Sequence, residues 1–212
     1  MTNQTDPVEI AIVGLGTVGG EVFRRLMTRR QQLISRTGAN LNVTAVADLE
    51  IPGNVEQWID SVDYYQDALE MLRQEDPDVL IELIGGISPA RDILEEALEQ
   101  GIDVVTANKE LLAKVGPSLY QKSEDSHARI RFEASVGGSI PILRTLREAF
   151  VDTDIHGVYG IINGTANYVL TRMETEDQSF DQALATAQEK GYAEPDPSYD
   201  VEGDDSAHKM AV

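Results

Sequence analysis

The sequence contains no cysteine. Disulfides, thiolate nucleophiles and cysteine-ligated zinc or iron–sulfur centres are thereby excluded. Basic residues are scarce: 17 lysines and arginines stand against 37 aspartates and glutamates, for a formal net charge of −20. Such a surface repels phosphate backbones, so no nucleic-acid partner is expected. Long apolar runs are missing as well. Ile10–Val13 and Val79–Ile84 are strand-sized, whereas a bilayer-spanning helix needs about 20 apolar residues. The opening MTNQTDPVEI lacks the basic and apolar layout of a signal peptide. A cytoplasmic protein with no membrane partner is the expectation.

The 212 residues are 42% hydrophobic, enough for one large domain or one domain and part of another. Acidic residues are spread along the chain, the pattern of a solvated surface. The 12 arginines outnumber the 5 lysines. Adaptation to a saline interior is one hypothesis for this bias.

Val8–Val13 is a β-branched run that ends in the glycine cluster Gly14-Leu15-Gly16-Thr17-Val18-Gly19. Val18, Val22 and Leu26 then recur at helical spacing. Strand, GxGxxG and helix form the layout of a dinucleotide-binding turn. In it Gly14 permits the tight turn, Gly16 the approach of a pyrophosphate, and Gly19 close helix–sheet packing. Thr17 and Val18 open the helix whose N–H groups would face the phosphates. The next strand, Leu41–Ala47, ends in Asp48, placed to bind ribose hydroxyls and to repel a 2′-phosphate. With no arginine or lysine beside it, Asp48 favours NAD over NADP. An aspartate that merely ends a strand is the plainer alternative.

The alternation continues. Asp78–Ile84 reads as a buried strand, and Ser88 and Pro89 as the cap and first residue of a helix that Gly101 closes. Val104–Thr106 leads into Asn108 and Lys109, which places a lysine at the ligand-binding edge of a parallel sheet. Ile130–Ala134 precedes Ser135–Pro141, where Glu133 and exposed carbonyls could hold a small hard cation or simply form a turn. The fold class expected is α/β: a Rossmann-type doubly wound parallel sheet over 1–147, then the beginning of an α+β substrate and dimerisation domain over 148–212. In the second part Ile155–Ile162 has the pattern of a strand, and Ser179 with Gln182 that of a capping box.

Near the C-terminus, Gly191–Lys209 reads GYAEPDPSYDVEGDDSAHK, with six carboxylates and two prolines. Asp205 and Lys209 are four apart and share a face if helical. Glu194 and Asp200 lie where Pro195 and Pro197 keep the chain extended. An acidic surface loop before a helix cap is the bland alternative.

Taken in order, GLGTVG, TANKELLA, FEASVGGSIP, NGTANYVL and GYAEPDPSYDVEGDDSAHK closely resemble the homoserine dehydrogenases, from Ile10 to the last residue. The resemblance implies interconversion of L-homoserine and L-aspartate 4-semialdehyde with NAD or NADP, in threonine, methionine and isoleucine biosynthesis. It also implies a homodimer in the full-length protein. By position, Lys209 matches the proton-transferring lysine, and Lys109 a lysine near cofactor and substrate. Glu194 matches the group that binds the substrate ammonium; Asp200, Asp205 and Thr165 match the substrate pocket. Thr106 and Gly191 match cofactor contacts. Glu133, with the carbonyls of Val136, Gly138 and Ile140, matches a structural sodium site. Asp205 is read as serving orientation and proton relay. Ala47 stands where members commonly carry a basic residue. Members also continue well past residue 212, so the chain reads as a fragment.

A different dehydrogenase of the same plan, or a non-catalytic dinucleotide sensor, remains as an alternative. The absence of cysteine opposes thiohemiacetal chemistry. A sensor would not require Lys109, Glu194, Asp205 and Lys209 together.

Overall fold

The computed structural model describes residues 6–212. The chain divides into two compact units, one ending at Ser135 and the other comprising Val136–Val212.

In the first unit, strands and helices alternate: β1 (Val8–Val13), α1 (Thr17–Thr28), α2 (Arg30–Thr37), β2 (Leu41–Ala47), α3 (Glu56–Ile59), β3 (Asp63–Tyr65), α4 (Ala68–Gln74), β4 (Val79–Glu82), α5 (Ala90–Glu99), β5 (Asp103–Thr106), α6 (Lys109–Ser126) and β6 (Ile130–Arg131). The six strands form one parallel sheet in the order β3-β2-β1-β4-β5-β6. Parallel pairing accords with the helical crossovers, which carry the chain back to the same end of the sheet before the next strand. Strand order reverses between β1 and β4, so the crevice beyond their C-terminal ends is where such a sheet takes a ligand.

Ile10, Ile12 and Leu15 pack with Phe23 of α1 and with Val43, Val46 and Val55. The helical spacing of Val22 and Leu26 places both against the same cluster. Trp58 and Tyr64 join it from the sheet edge. Helix α5 begins one residue later than the sequence suggests. Pro89, at φ −88° and ψ 4°, is not helical and only flanks the first turn. Gly101 closes α5 with φ +82°.

The second unit is helical. A single turn, α7 (Glu133–Val136), carries the chain across the division. Then come α8 (Ile142–Arg144), which runs on into a π-turn at Thr145–Ala149, α9 (Gly164–Glu176), α10 (Phe180–Glu189), α11 (Ser198–Val201) and α12 (Asp204–Ala211). Val169 of α9, Ala183 and Ala187 of α10, and Ala193 form a small core, flanked by Tyr168, Met173 and Leu184. The Ser179–Gln182 capping box is present.

The compact units part at Ser135/Val136, where the sequence suggests a domain boundary near residue 147. Phe132, edge-on to Tyr120 at 5.7 Å, follows the two-residue β6. One expectation needs correction. Ile155–Ile162 forms no strand. Its alternation is strand-like, but no ladder partner faces it among the described residues, and Val158, Tyr159 and Ile161 stand exposed.

Candidate functional site

The glycine turn after β1 is built for close approach. Gly14 has φ +90°, a conformation that an L side chain resists, and a Cβ there would lie 2.7 Å from Ile84 Cγ2. A Cβ on Gly19 would meet the Gly14 carbonyl oxygen at 1.8 Å, so α1 rests on the turn through bare backbone. Gly16 has nothing within 4 Å of its Cβ position, leaving the backbone open to a ligand. Beside it lies a cleft of about 650 Å³ lined by Gly14, Gly16, Asp48, Leu49, Leu83 and Ile84, among others. Asp48 is held at its mouth. One carboxylate oxygen accepts from the Leu15 N–H at 2.5 Å and the other from the Leu49 N–H at 2.7 Å. Thr17 begins α1, and Val18 stands more than half exposed at its start.

A second constellation lies within the other unit. Asp205 and Lys209 fall on one face of α12, with Nζ 2.7 Å from Oδ2. The same ammonium donates to the Ile162 carbonyl at 2.7 Å. Asn163 caps α9, its Oδ1 accepting from the Ala166 N–H. Its Nδ2 lies 2.7 Å from Asp200 Oδ1 and 2.9 Å from Asp205 Oδ2. Two carboxylates, an amide and an ammonium thus share one hydrogen-bonded cluster. It lines a cavity of about 530 Å³, to which Thr165 and Tyr168 also contribute. The Thr165 hydroxyl donates to the Tyr192 carbonyl at 2.8 Å. Asp205 is buried, as an aspartate seldom is unless so partnered.

The expected residues are gathered unevenly. Lys209, Asp205, Asp200 and Thr165 line one cavity. Glu194 does not join them: it is exposed, and its carbonyl accepts from the Gln188 side chain at 3.1 Å. The expected extension is not found: the chain bends at Pro195 and Asp196, Pro197 has φ −90° and ψ 4°, and Asp200 lies within α11. Gly191 follows α10 with φ +73°. Lys109 opens α6, and Thr106 ends β5 on the ligand-binding edge of the sheet. Of the residues matched to a sodium site, Glu133 belongs to the first unit and Val136, Gly138 and Ile140 to the second. The Ile140 carbonyl accepts from the Ile142 N–H at 2.8 Å. Among the described residues no group of three or more aspartate, glutamate or histidine side chains is placed to hold a metal. No helix among them is long and apolar enough to cross a membrane. Sequence reasoning missed Asn163, whose cue was its place as a helix cap immediately before the glycine of NGTANYVL.

A doubly wound sheet of order 321456, with a glycine-rich first turn and an aspartate closing the second strand, defines a dinucleotide-binding protein of the dehydrogenase type. Comparison with known proteins narrows the class. The family model "Homoserine dehydrogenase, NAD binding domain" matches residues 14–133, and the model "Homoserine dehydrogenase" matches 141–212. The chain belongs to the homoserine dehydrogenase family. It is 38% identical over 206 residues to the homoserine dehydrogenase of Neisseria gonorrhoeae, covering 97% of this chain and 47% of that one. A crystal structure of a homoserine dehydrogenase from Thiobacillus denitrificans superposes with a TM-score of 0.85 at 36% identity, over 97% of this chain and 47% of that one. A hyperthermophilic archaeal homoserine dehydrogenase in complex with NADPH gives 0.81 at 26% identity, covering 97% and 68%. The chain spans about half the length of the curated relatives it matches.

Proposed function

We propose that this protein is an NAD(P)-dependent homoserine dehydrogenase. It would interconvert L-homoserine and L-aspartate 4-semialdehyde on the route from aspartate to threonine, methionine and isoleucine. The observation that carries the reading is the cluster of Lys209, Asp205, Asn163 and Asp200 around one cavity, in a chain whose other unit presents a dinucleotide cleft.

The cleft suits the cofactor. Gly16 leaves room for the pyrophosphate, and the start of α1 offers unpaired N–H groups. Asp48 would take the adenosine ribose hydroxyls and oppose a 2′-phosphate, which supports NAD over NADP. A bound nicotinamide would supply the acceptor for the hydride of the carbon that carries the substrate hydroxyl.

The remaining chemistry falls to the chain. Oxidising an alcohol requires a base for its hydroxyl proton. As an amine, Lys209 would give its two N–H bonds to Asp205 and to the Ile162 carbonyl, and its lone pair would be left for the hydroxyl in the cavity. In reduction the ammonium returns the proton by the same path. Asp205 orients the lysine and receives positive charge beside it. The substrate is an amino acid, and its ammonium is drawn to carboxylates. Asp200 is presented to it here, and Glu194 and Thr165 retain the substrate-binding roles that the resemblance implies. Lys109, Thr106 and Gly191 likewise retain theirs toward cofactor. A structural sodium at Glu133 and the carbonyls of Val136, Gly138 and Ile140 rests on the resemblance and on oxygen donors that suit a hard cation; no step passes through it. The homodimer and the cytoplasmic setting rest on the resemblance and on the sequence.

The test is formation of NADH or NADPH, followed by absorbance, with L-homoserine as substrate. Turnover with one of the two cofactors supports the reading. Tight dinucleotide binding without turnover on homoserine would favour a sensor instead.

A further inference from the structure

Glu82 ends β4 and is completely buried, and nothing above gives it a task. It lies inside the first unit, at the C-terminal edge of the sheet. One of its carboxylate oxygens accepts from the Ile84 N–H at 2.9 Å and the Gly85 N–H at 3.2 Å. The other accepts from the Thr106 hydroxyl at 2.5 Å. The Thr106 oxygen in turn accepts from the Asn108 N–H at 3.0 Å. Asn108 caps α6 through the Leu111 N–H, and its Nδ2 donates to the Gly86 carbonyl at 2.6 Å.

These bonds close a ring. It runs from Glu82 through Thr106 and Asn108 to Gly86, and back along the turn to Glu82. The ring joins the turn after β4 to the turn after β5, and Lys109 is the first residue of the helix it caps. Gly85 and Gly86, at φ +74° and +69°, allow the first turn to fold over the carboxylate. Ile84 is also the residue against which Gly14 packs, so the ring abuts the glycine turn.

In a doubly wound sheet each half seats one nucleotide of a dinucleotide. The glycine turn and Asp48 belong to the β1–β3 half, the Glu82 ring to the β4–β6 half. A buried carboxylate with only donors around it is a costly feature to keep for packing alone. We propose that Glu82 is a positioning residue for the nicotinamide half of the bound dinucleotide, its carboxylate fixing the Gly85–Gly86 turn and, through Thr106 and Asn108, the start of α6 at Lys109. The proposal rests on the cofactor reading above. It adds a residue that touches neither cofactor nor substrate and sets the wall against which the reactive ring lies.

The test is calorimetric titration of the 212-residue chain with NADH and with ADP-ribose, which lacks the nicotinamide. Glu82→Gln keeps the volume and an acceptor for the turn, but turns an N–H₂ group toward a Thr106 oxygen that already accepts a hydrogen bond. NADH binding is expected to weaken by about tenfold, the worth of one charge-assisted hydrogen bond. ADP-ribose affinity is expected to stay within about twofold. Asn108→Asp, which keeps the Oδ1 cap of α6 but loses the donor to the Gly86 carbonyl and so interrupts the ring from its other side, is expected to give the same split. Glu99→Gln, on the exposed face of α5, serves as the control for an acid-to-amide change and leaves both ligands unaffected. Equal weakening of NADH and ADP-ribose would make Glu82 merely structural and overturn the proposal. So would unchanged NADH binding, or the absence of the split in both variants. If the parent chain bound neither ligand, the cofactor reading itself would fall, and the proposal with it.

Discussion

Lys209 and Asp205 meet across one turn of α12, with Nζ 2.7 Å from Oδ2 and with side chains only 19% and 5% exposed. The pair does not stand alone. The Asp205 oxygen that holds the ammonium also accepts from Asn163, whose amide nitrogen reaches Asp200 as well. Two carboxylates on one cavity repel each other unless a donor lies between them, and Asn163 is that donor.

Asn163→Ala should therefore damage both fold and site. It removes the N-cap of α9, worth about 1 kcal/mol. It also leaves two partly buried carboxylates short of a hydrogen bond, at about 1–3 kcal/mol. The expected total is about 2–4 kcal/mol, read as a lower urea midpoint with an unchanged slope. Asn163→Asp should cap the helix yet abolish turnover, because it adds a third negative charge. Normal turnover in that variant would show that the amide does not organise the cluster.

Gly19→Ala and Gly16→Ala should separate packing from binding. At residue 19 the new methyl would lie 1.8 Å from a carbonyl oxygen, so a loss of stability of at least about 1–3 kcal/mol is expected. At residue 16 it would enter open space. Melting should be nearly unchanged there, while dinucleotide affinity falls. Equal affinity for NADH in Gly16→Ala and parent would remove the pyrophosphate from that turn.

Tyr65 should make stability fall in alkali. Its hydroxyl donates to Glu75 at 2.6 Å, and that hydrogen bond, with desolvation and nearby carboxylates, pushes the phenol up to about 12 from 10.0. A group raised in the folded state contributes stability that is fully present below its unfolded value and lost as pH rises through the folded one. The advantage of the parent over Tyr65→Phe should thus hold below pH 10 and vanish by about pH 12, as followed by denaturant midpoints. A difference independent of pH would contradict this.

The charge of −20 predicts a salt response. Self-repulsion among the surface carboxylates is screened as ionic strength rises. The unfolding midpoint should therefore climb between low and molar salt. A flat or falling midpoint would end the hypothesis of a saline setting.

Much of this was legible in the sequence because the signals are local. β-branched runs, GxGxxG, the capping box and the four-residue spacing of Asp205 and Lys209 each depend on neighbours within a turn or two. The doubly wound sheet follows from their alternation. Four things were not legible. The Ile155–Ile162 pattern promises a strand, but a strand exists only through a partner, and none faces it among the described residues. Asn163 is given no role by the sequence, and only the fold shows that it caps α9 and that its amide nitrogen spans 37 and 42 residues to reach Asp200 and Asp205. Glu82 lies in an apolar run, and its value depends on Thr106, which no periodicity connects to it. Glu194 matches a motif and yet is not gathered into the cavity: the two prolines suggest an extended segment, but the chain bends at Pro195 and Asp196 and turns into α11 after Pro197, leaving Glu194 exposed.

The role of Lys209 is measured by the rate of NADH or NADPH formation from L-homoserine, compared in the full-length protein and its Lys209→Ala variant, with cofactor affinity measured on both. Turnover is expected in the parent and its loss in the variant, with cofactor binding little changed. Turnover in the variant at a tenth of the parent rate or more would contradict the assignment of proton transfer to Lys209. A parent that binds the dinucleotide and leaves homoserine untouched would contradict the proposed activity itself.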